Sequence, residues 1–140
     1  MQAEQYTKNN EDCKLYPYHC PSKKLTIAWG INLDDGISQE MANAMFQVAW
    51  KETVQECANF PFWEKLNDAR KGVLVDMCYN MGLPRLLGFE NMIRALAHED
   101  YEKAADEIVD SKYWRNPYTH GRAQNNSELM RSGTWDCLTS

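Results

Sequence analysis

The stretch Glu11-Asp-Cys-Lys-Leu-Tyr-Pro-Tyr-His-Cys20-Pro-Ser-Lys-Lys-Leu25-Thr-Ile-Ala-Trp-Gly30-Ile-Asn-Leu33 decides the fold class. Leu15, Tyr16 and Tyr18, followed by Leu25-Thr-Ile-Ala-Trp29, have the aromatic and β-branched texture that strands favour, and His19-Cys-Pro-Ser-Lys23 interrupts it as a turn would. A small β-hairpin sheet is expected. Upstream, residues 1–12 are polar, with Met1, Ala3 and Tyr6 as the apolar side chains, and read as a short helix. Downstream, Asp34-Asp-Gly36 makes a turn and Ser38 is a plausible N-cap for a helix to about Cys57, with Met41, Ala42, Met45, Ala49 and Val54 as its buried stripe.

Everything after that is helical in pattern. Beyond Phe60-Pro-Phe-Trp63, a long helix is expected from about Asn67 to Met81, with Val73, Leu74, Met77, Cys78 and Met81 inward and Gly82 as a left-handed cap. Shorter helices follow at about 90–97, 101–109 with Asp100 as cap, 112–115, and Gly121–Arg131, which ends at Gly133. Trp50, Phe62, Trp63, Met77 and Phe89 belong to the core. The expected fold is therefore α+β: one domain over 1–140, with a small hairpin lobe (about 12–37), a connecting helix (about 38–57) and a helical lobe (about 60–140). The cleft between the lobes is the natural place for a ligand.

Composition narrows the function. The 140 residues carry 20 acidic and 15 basic side chains, a net charge of −5, which argues against nonspecific nucleic-acid binding because that needs a cationic footprint. No apolar run approaches the roughly 18 residues of a membrane helix, so stable membrane insertion is not expected. The first ten residues lack a basic-then-apolar signal pattern. The five cysteines, Cys13, Cys20, Cys57, Cys78 and Cys137, form no Cys-x-x-Cys pair and no zinc spacing, so free thiols, no metal and no cofactor are expected.

Glu11, at the junction of helix and hairpin, would by itself read as a solvated helix end. Its company changes that: nine residues on lies Cys20 and fifteen on lies Thr26, in a hairpin able to fold both back toward it. Glu11, eight residues, Cys20, five residues, Thr26 resembles the catalytic triad of the phage-type lysozymes, the T-even-like endolysins of glycoside hydrolase family 24. The likeness continues through Lys24-Leu-Thr-Ile-Ala-Trp-Gly30, Asn32-Leu-Asp-Asp and Gly36-Ile-Ser38. It resumes at Arg70 to Gly82, Ser111-Lys-Tyr-Trp-Arg-Asn116, Gly121-Arg-Ala123 and Arg131-Ser-Gly-Thr-Trp135, in order along the chain.

The resemblance implies hydrolysis of the β-1,4 bond between N-acetylmuramic acid and N-acetylglucosamine in bacterial peptidoglycan. Such cleavage needs an acid for the leaving oxygen and a group that activates water or attacks the anomeric carbon. Glu11 is the expected acid, for which its pKa must rise from the ordinary 4.3 or so. Arg122 matches an arginine the family places beside that glutamate. Cys20 stands where Asp is commoner; it could be a water-activating thiolate, a nucleophile, or a nearly neutral bystander that leaves positioning to Thr26. Assisted water attack by Cys20 and Thr26 is favoured here.

Tyr18, Trp29, Asn32, Tyr79, Asn80, Trp114 and Asn116 could line a saccharide cleft, since sugars offer apolar faces to rings and hydroxyl edges to amides. Three departures from the family pattern stand out: Ala28 for a glycine, Ile31 for a histidine, and Asp12 for a glycine. The implied partner is a peptidoglycan glycan strand, met by a monomer. The enzyme would wait in the host cytoplasm until a holin opens the way to the periplasm and wall. A non-catalytic wall-binding protein and a secreted antibacterial effector with the same chemistry are the competing readings.

Overall fold

The computed structural model describes residues 1–138. It is mixed α+β, with a three-stranded antiparallel sheet near the N-terminus and eight α-helices among the described residues. Backbone contacts group the chain into two units, Met1–Phe46 and a second that begins at Gln47.

In the first unit, α1 (Gln2–Asn10) buries none of its residues. It is supported instead by pairs one turn apart, Lys8 to Glu4 at 2.7 Å and Gln5 to Asn9 at 2.9 Å, each worth a few tenths of a kcal/mol. The helix ends where Glu11 turns extended, at φ −109° and ψ 126°. Next come β1 (Cys13–His19), β2 (Leu25–Trp29) and β3 (Ile31–Asn32), in that spatial order. The hairpin is thus extended by a third, two-residue strand that periodicity is too short to reveal.

The register of β1 on β2 shifts between Lys14, opposite Ala28, and Tyr18, opposite Thr26. Pro17 lies inside that irregularity, as a residue with no N–H must, and β1 is an edge strand where the missing donor costs least. The β2–β3 connection turns tightly: Ala28 has φ +57° and Gly30 has φ +73°. Glycine adopts that region freely, whereas an alanine there is strained by its Cβ.

Ser38 caps α2 (Gln39–Cys57), its Oγ accepting from the Met41 N–H at 3.1 Å. The expected stripe is corrected in part. Met41 and Met45 are exposed and, with Val48, mark an outward face at i, i+4 and i+7. Ala42, Ala49 and Val54 are half-buried, and with Trp50, Thr53 and Cys57 they follow a different face. Periodicity finds a stripe without saying which way it turns; here the one ending on the fully buried Cys57 faces the core.

The core lies in the second unit. A 3-10 turn at Trp63–Lys65 leads to α3 (Asp68–Met81), capped by Asn67, whose Oδ1 accepts from the Arg70 N–H at 3.0 Å. Val73, Leu74, Met77 and Cys78 are buried with Phe62 and Trp63, while Trp50, Met81 and Phe89 pack against them part-exposed. Gly82 ends α3 at φ +85° and ψ 155°, which is not the left-handed helical cap expected but a glycine-only extended conformation. It permits an immediate restart as α4 (Leu83–Leu87), with Pro84 in the first turn where its missing N–H is harmless.

α5 (Glu90–Ala97), α6 (Tyr101–Val109), α7 (Lys112–Arg115) and α8 (His120–Ser132) follow. Asp100 caps α6 through the Lys103 N–H, as expected. Gly133 ends α8 in the left-handed conformation, at φ +70° and ψ 18°. Arg70 closes that end, its guanidinium donating to the Met130 and Arg131 carbonyls and lying 3.8 Å from the Tyr101 ring centroid.

Candidate active site

Glu11 is exposed, and the extended backbone that ends α1 aims its carboxylate at the β2–β3 turn. It lies against Gly30: a Cβ built there would come within 2.6 Å of Glu11 Oε2. Gly30 therefore serves both the turn and the seat of the carboxylate.

Cys20 closes the other hairpin turn, where its N–H donates to the Lys24 carbonyl at 3.0 Å and its carbonyl accepts from the Lys23 N–H at 2.7 Å. The tightness of this turn puts Lys23 at φ +61°. The Lys24 N–H, against a smaller opposing effect of burial, holds the thiol below its ordinary range, helped by the Ser22 N–H and the Thr26 and Ser22 hydroxyls. Thr26 is buried, 4 % exposed, and its Oγ1 donates to the Lys24 carbonyl at 2.9 Å. One hydroxyl carries one proton, so Thr26 serves either that carbonyl or the sulfur at a given moment.

The remaining sheet residues divide between structure and surface. Asn32, opposite Thr26 on β3, is occupied by its own turn: Oδ1 accepts from the Asp34 N–H at 2.9 Å and Nδ2 donates to Asp35 at 2.7 Å. Tyr18 is half-buried opposite Thr26 on β1. Trp29 is 44 % exposed, with the Lys8 ammonium 5.9 Å from its ring.

In the helical unit, Arg122 on α8 forms a bidentate pair with Asp76 on α3, Nε to Oδ2 at 2.8 Å and Nη2 to Oδ1 at 2.7 Å. Asn126 donates to the same carboxylate at 2.9 Å and to the Tyr113 hydroxyl at 3.1 Å. Burial alone would raise the Asp76 pKa, but the Arg122 and Asn126 hydrogen bonds and the Arg122 charge outweigh it and hold the carboxyl below its usual value. Asn80 is exposed at the rim of a cavity of about 930 Å³ that Asn116, Phe89 and Tyr113 also line. Tyr79 is 41 % exposed, 6.2 Å from Trp50 between ring centres, and Trp114 is half-buried against His120 at 4.6 Å.

The structure thus brings Cys20 and Thr26 together, and places Asn80 with Asn116. Four participants carry little or no signal in the sequence. Gly30 had a signal, an isolated glycine after a strand, which marks close backbone approach. Asp76 had a weaker one, a carboxylate inside an apolar helix that must find a partner. The Ser22 and Lys24 donors had none, because backbone N–H direction depends on turn geometry.

Chemically, the sheet unit offers a carboxyl able to carry a proton and a sulfur whose donors favour negative charge. Among the described residues no three His, Cys, Asp or Glu side chains gather as a metal site, all five cysteines are free thiols, and no helix is long and apolar enough to cross a membrane. The family model described as phage lysozyme matches residues 8–129, spanning every element from the end of α1 to most of α8. The chain belongs to the phage lysozyme family, whose activity is the hydrolysis of peptidoglycan.

Proposed function

We propose that this chain is a muramidase that hydrolyses the β-1,4 bond between N-acetylmuramic acid and N-acetylglucosamine, with Glu11 as general acid and with Cys20 and Thr26 assisting water attack. Glu11 gives its proton to the glycosidic oxygen. Water, held by the Thr26 hydroxyl and losing a proton to the Cys20 thiolate, adds to the anomeric carbon of the muramic acid residue as the bond from that carbon to the protonated glycosidic oxygen breaks.

The observation that supports this division of labour is the tight turn that seats Cys20 beside Thr26, where the Lys24 N–H lowers the thiol pKa and favours the thiolate that can take the place of the missing aspartate charge. Water attack with inversion at the anomeric carbon is the course that the resemblance to the family implies.

The further contacts to the glycan strand are proposed for Asn32, Asn80, Tyr79, Trp114, Arg122, Tyr18 and Trp29. The setting proposed is that of an endolysin, made in the host cytoplasm and admitted to the wall by a holin. The test is product analysis by mass spectrometry with three proteins. Wild type should release fragments ending in a reducing muramic acid, Cys20→Ser should do so at least about tenfold more slowly at equal stability, and Cys20→Asp should retain or exceed the wild-type rate. Equal rates in all three remove Cys20 from the mechanism, and reducing glucosamine ends contradict the bond assignment.

A further inference from the structure

Among the described residues of α1, Lys8 alone is half-buried; the others, Tyr6 included at 71 % exposed, face solvent. A lysine is a costly choice for the one packed position of a helix, because ordering its long side chain gives up more rotamer freedom than almost any other. Contacts on two sides offset that cost. The Lys8 ammonium donates to Glu4 Oε1 at 2.7 Å, one turn back along α1, and lies 5.9 Å from the centroid of the Trp29 ring, inside the roughly 6 Å over which an indole face attracts a cation.

These contacts stand beside the seat of the proposed acid. Lys8 is three residues before Glu11, and Trp29 is one residue before Gly30, against which the Glu11 carboxylate lies. α1 thus meets the β2–β3 turn at two points, Lys8 on Trp29 and Glu11 on Gly30. One contact leaves a helix free to pivot; a second fixes its direction. The Glu11 N–H donates to the Thr7 carbonyl at 3.0 Å, so the direction of α1 is passed on to the residue that ends it. With no residue of α1 buried, nothing in a core can do this instead.

We propose that Lys8 is a positioning residue for the acid: by bracing α1 against Trp29 it keeps the Glu11 carboxyl at Gly30, where its proton can reach the glycosidic oxygen. Lys8 acts through Glu11 and not on the sugar. The reaction it serves rests on the muramidase reading; the brace itself does not. Misplacing a catalytic group by about 1 Å can cost a hundredfold in rate, so loss of the brace falls on kcat more than on KM.

The test compares Lys8→Ala, Lys8→Arg and Gln5→Ala in the full chain. Gln5→Ala removes the other one-turn pair of α1, Gln5 to Asn9 at 2.9 Å, and leaves the brace, so it controls for helix content. Geometry is read at the Gly30 amide resonance, which should follow titration of the carboxylate beside it; Glu11→Gln identifies that response by abolishing it. The response should lose most of its amplitude in Lys8→Ala and persist in Lys8→Arg and Gln5→Ala. On soluble wall fragments, kcat should fall about tenfold in Lys8→Ala with KM within about threefold, and stay within about twofold of wild type in the other two. A Gly30 response that persists in Lys8→Ala, equal losses in Gln5→Ala, or no recovery in Lys8→Arg overturns the proposal. If the wild type cleaves no bond, the muramidase reading falls and the Gly30 response alone decides the brace; cleavage by a wild type whose Gly30 response survives Lys8→Ala removes the brace and leaves the reading.

Discussion

At the scale of single residues, the sheet unit is governed by two positions either side of Trp29 with opposite fitness for their backbone. Gly30 is suited to φ +73° and to the Glu11 carboxylate beside it, whereas Ala28 holds φ +57° against its own Cβ. Gly30→Ala should therefore cost about 1–2 kcal/mol and at least about tenfold in lysis, since the new methyl displaces the proposed acid. Ala28→Gly should gain about 1 kcal/mol, less the greater entropy of the unfolded glycine chain. Urea denaturation of both variants measures this. Cys20 supplies a second residue-scale prediction: its alkylation rate should reach half-maximum at a lower pH than that of an ordinary thiol, and Thr26→Val should move that point upward by removing a donor. Glu11, Cys20 and Thr26 were legible as a group because their spacing is a sequence property. Gly30's contact with Glu11 was not, because it depends on where α1 ends and how sharply β2 turns.

At the scale of elements, α3 and α8 are tied by Asp76, Arg122 and Asn126. The tie has a pH signature. The Asp76 pKa is lower folded than unfolded, so its contribution is complete above the unfolded value near 4 and is lost as pH falls through the folded one. Asp76→Asn should cost about 1 kcal/mol at neutral pH, discounted for the exposure of both partners, and the variant should lose less stability than wild type between pH 5 and pH 2. Denaturation across that range decides it. The helices themselves were largely legible: Ser38, Asp100 and Gly133 act as caps where their residue types say they should, while Asn67, expected as the first residue of α3, caps it. The missed pieces, β3 and α4, are two and five residues long, too short for a period to register. The inward face of α2 was misjudged because methionines mark a stripe as readily as the small residues that actually approach the core.

At the scale of the whole molecule, every buried apolar side chain among the described residues lies between Cys57 and Met130, whereas in the first unit Thr26 is the buried side chain. The sheet unit that carries Glu11 and Cys20 is thus held mainly by backbone pairing and exposed polar contacts. Amide hydrogen exchange should show α3 and α8 protected to the global limit and α1 and the sheet exchanging at least about a hundredfold faster; comparable protection in α1 would contradict this distribution. An α+β layout was readable from the sequence because one texture change, near Leu33, separates strand-like from helix-like periodicity. The uneven placement of the core was not, because apolar and aromatic side chains of β1 that look suited to burial are exposed: Leu15 is 80 % and Tyr16 is 84 % accessible. The most direct test of the chemistry is the clearing of outer-membrane-stripped Gram-negative cells by wild type and by Glu11→Gln at matched concentration and stability. Rapid clearing by the first and a loss of at least about a thousandfold in the second is predicted; clearing that survives the substitution, or a wild type that adheres to the wall without clearing it, would contradict a proton donor at this position.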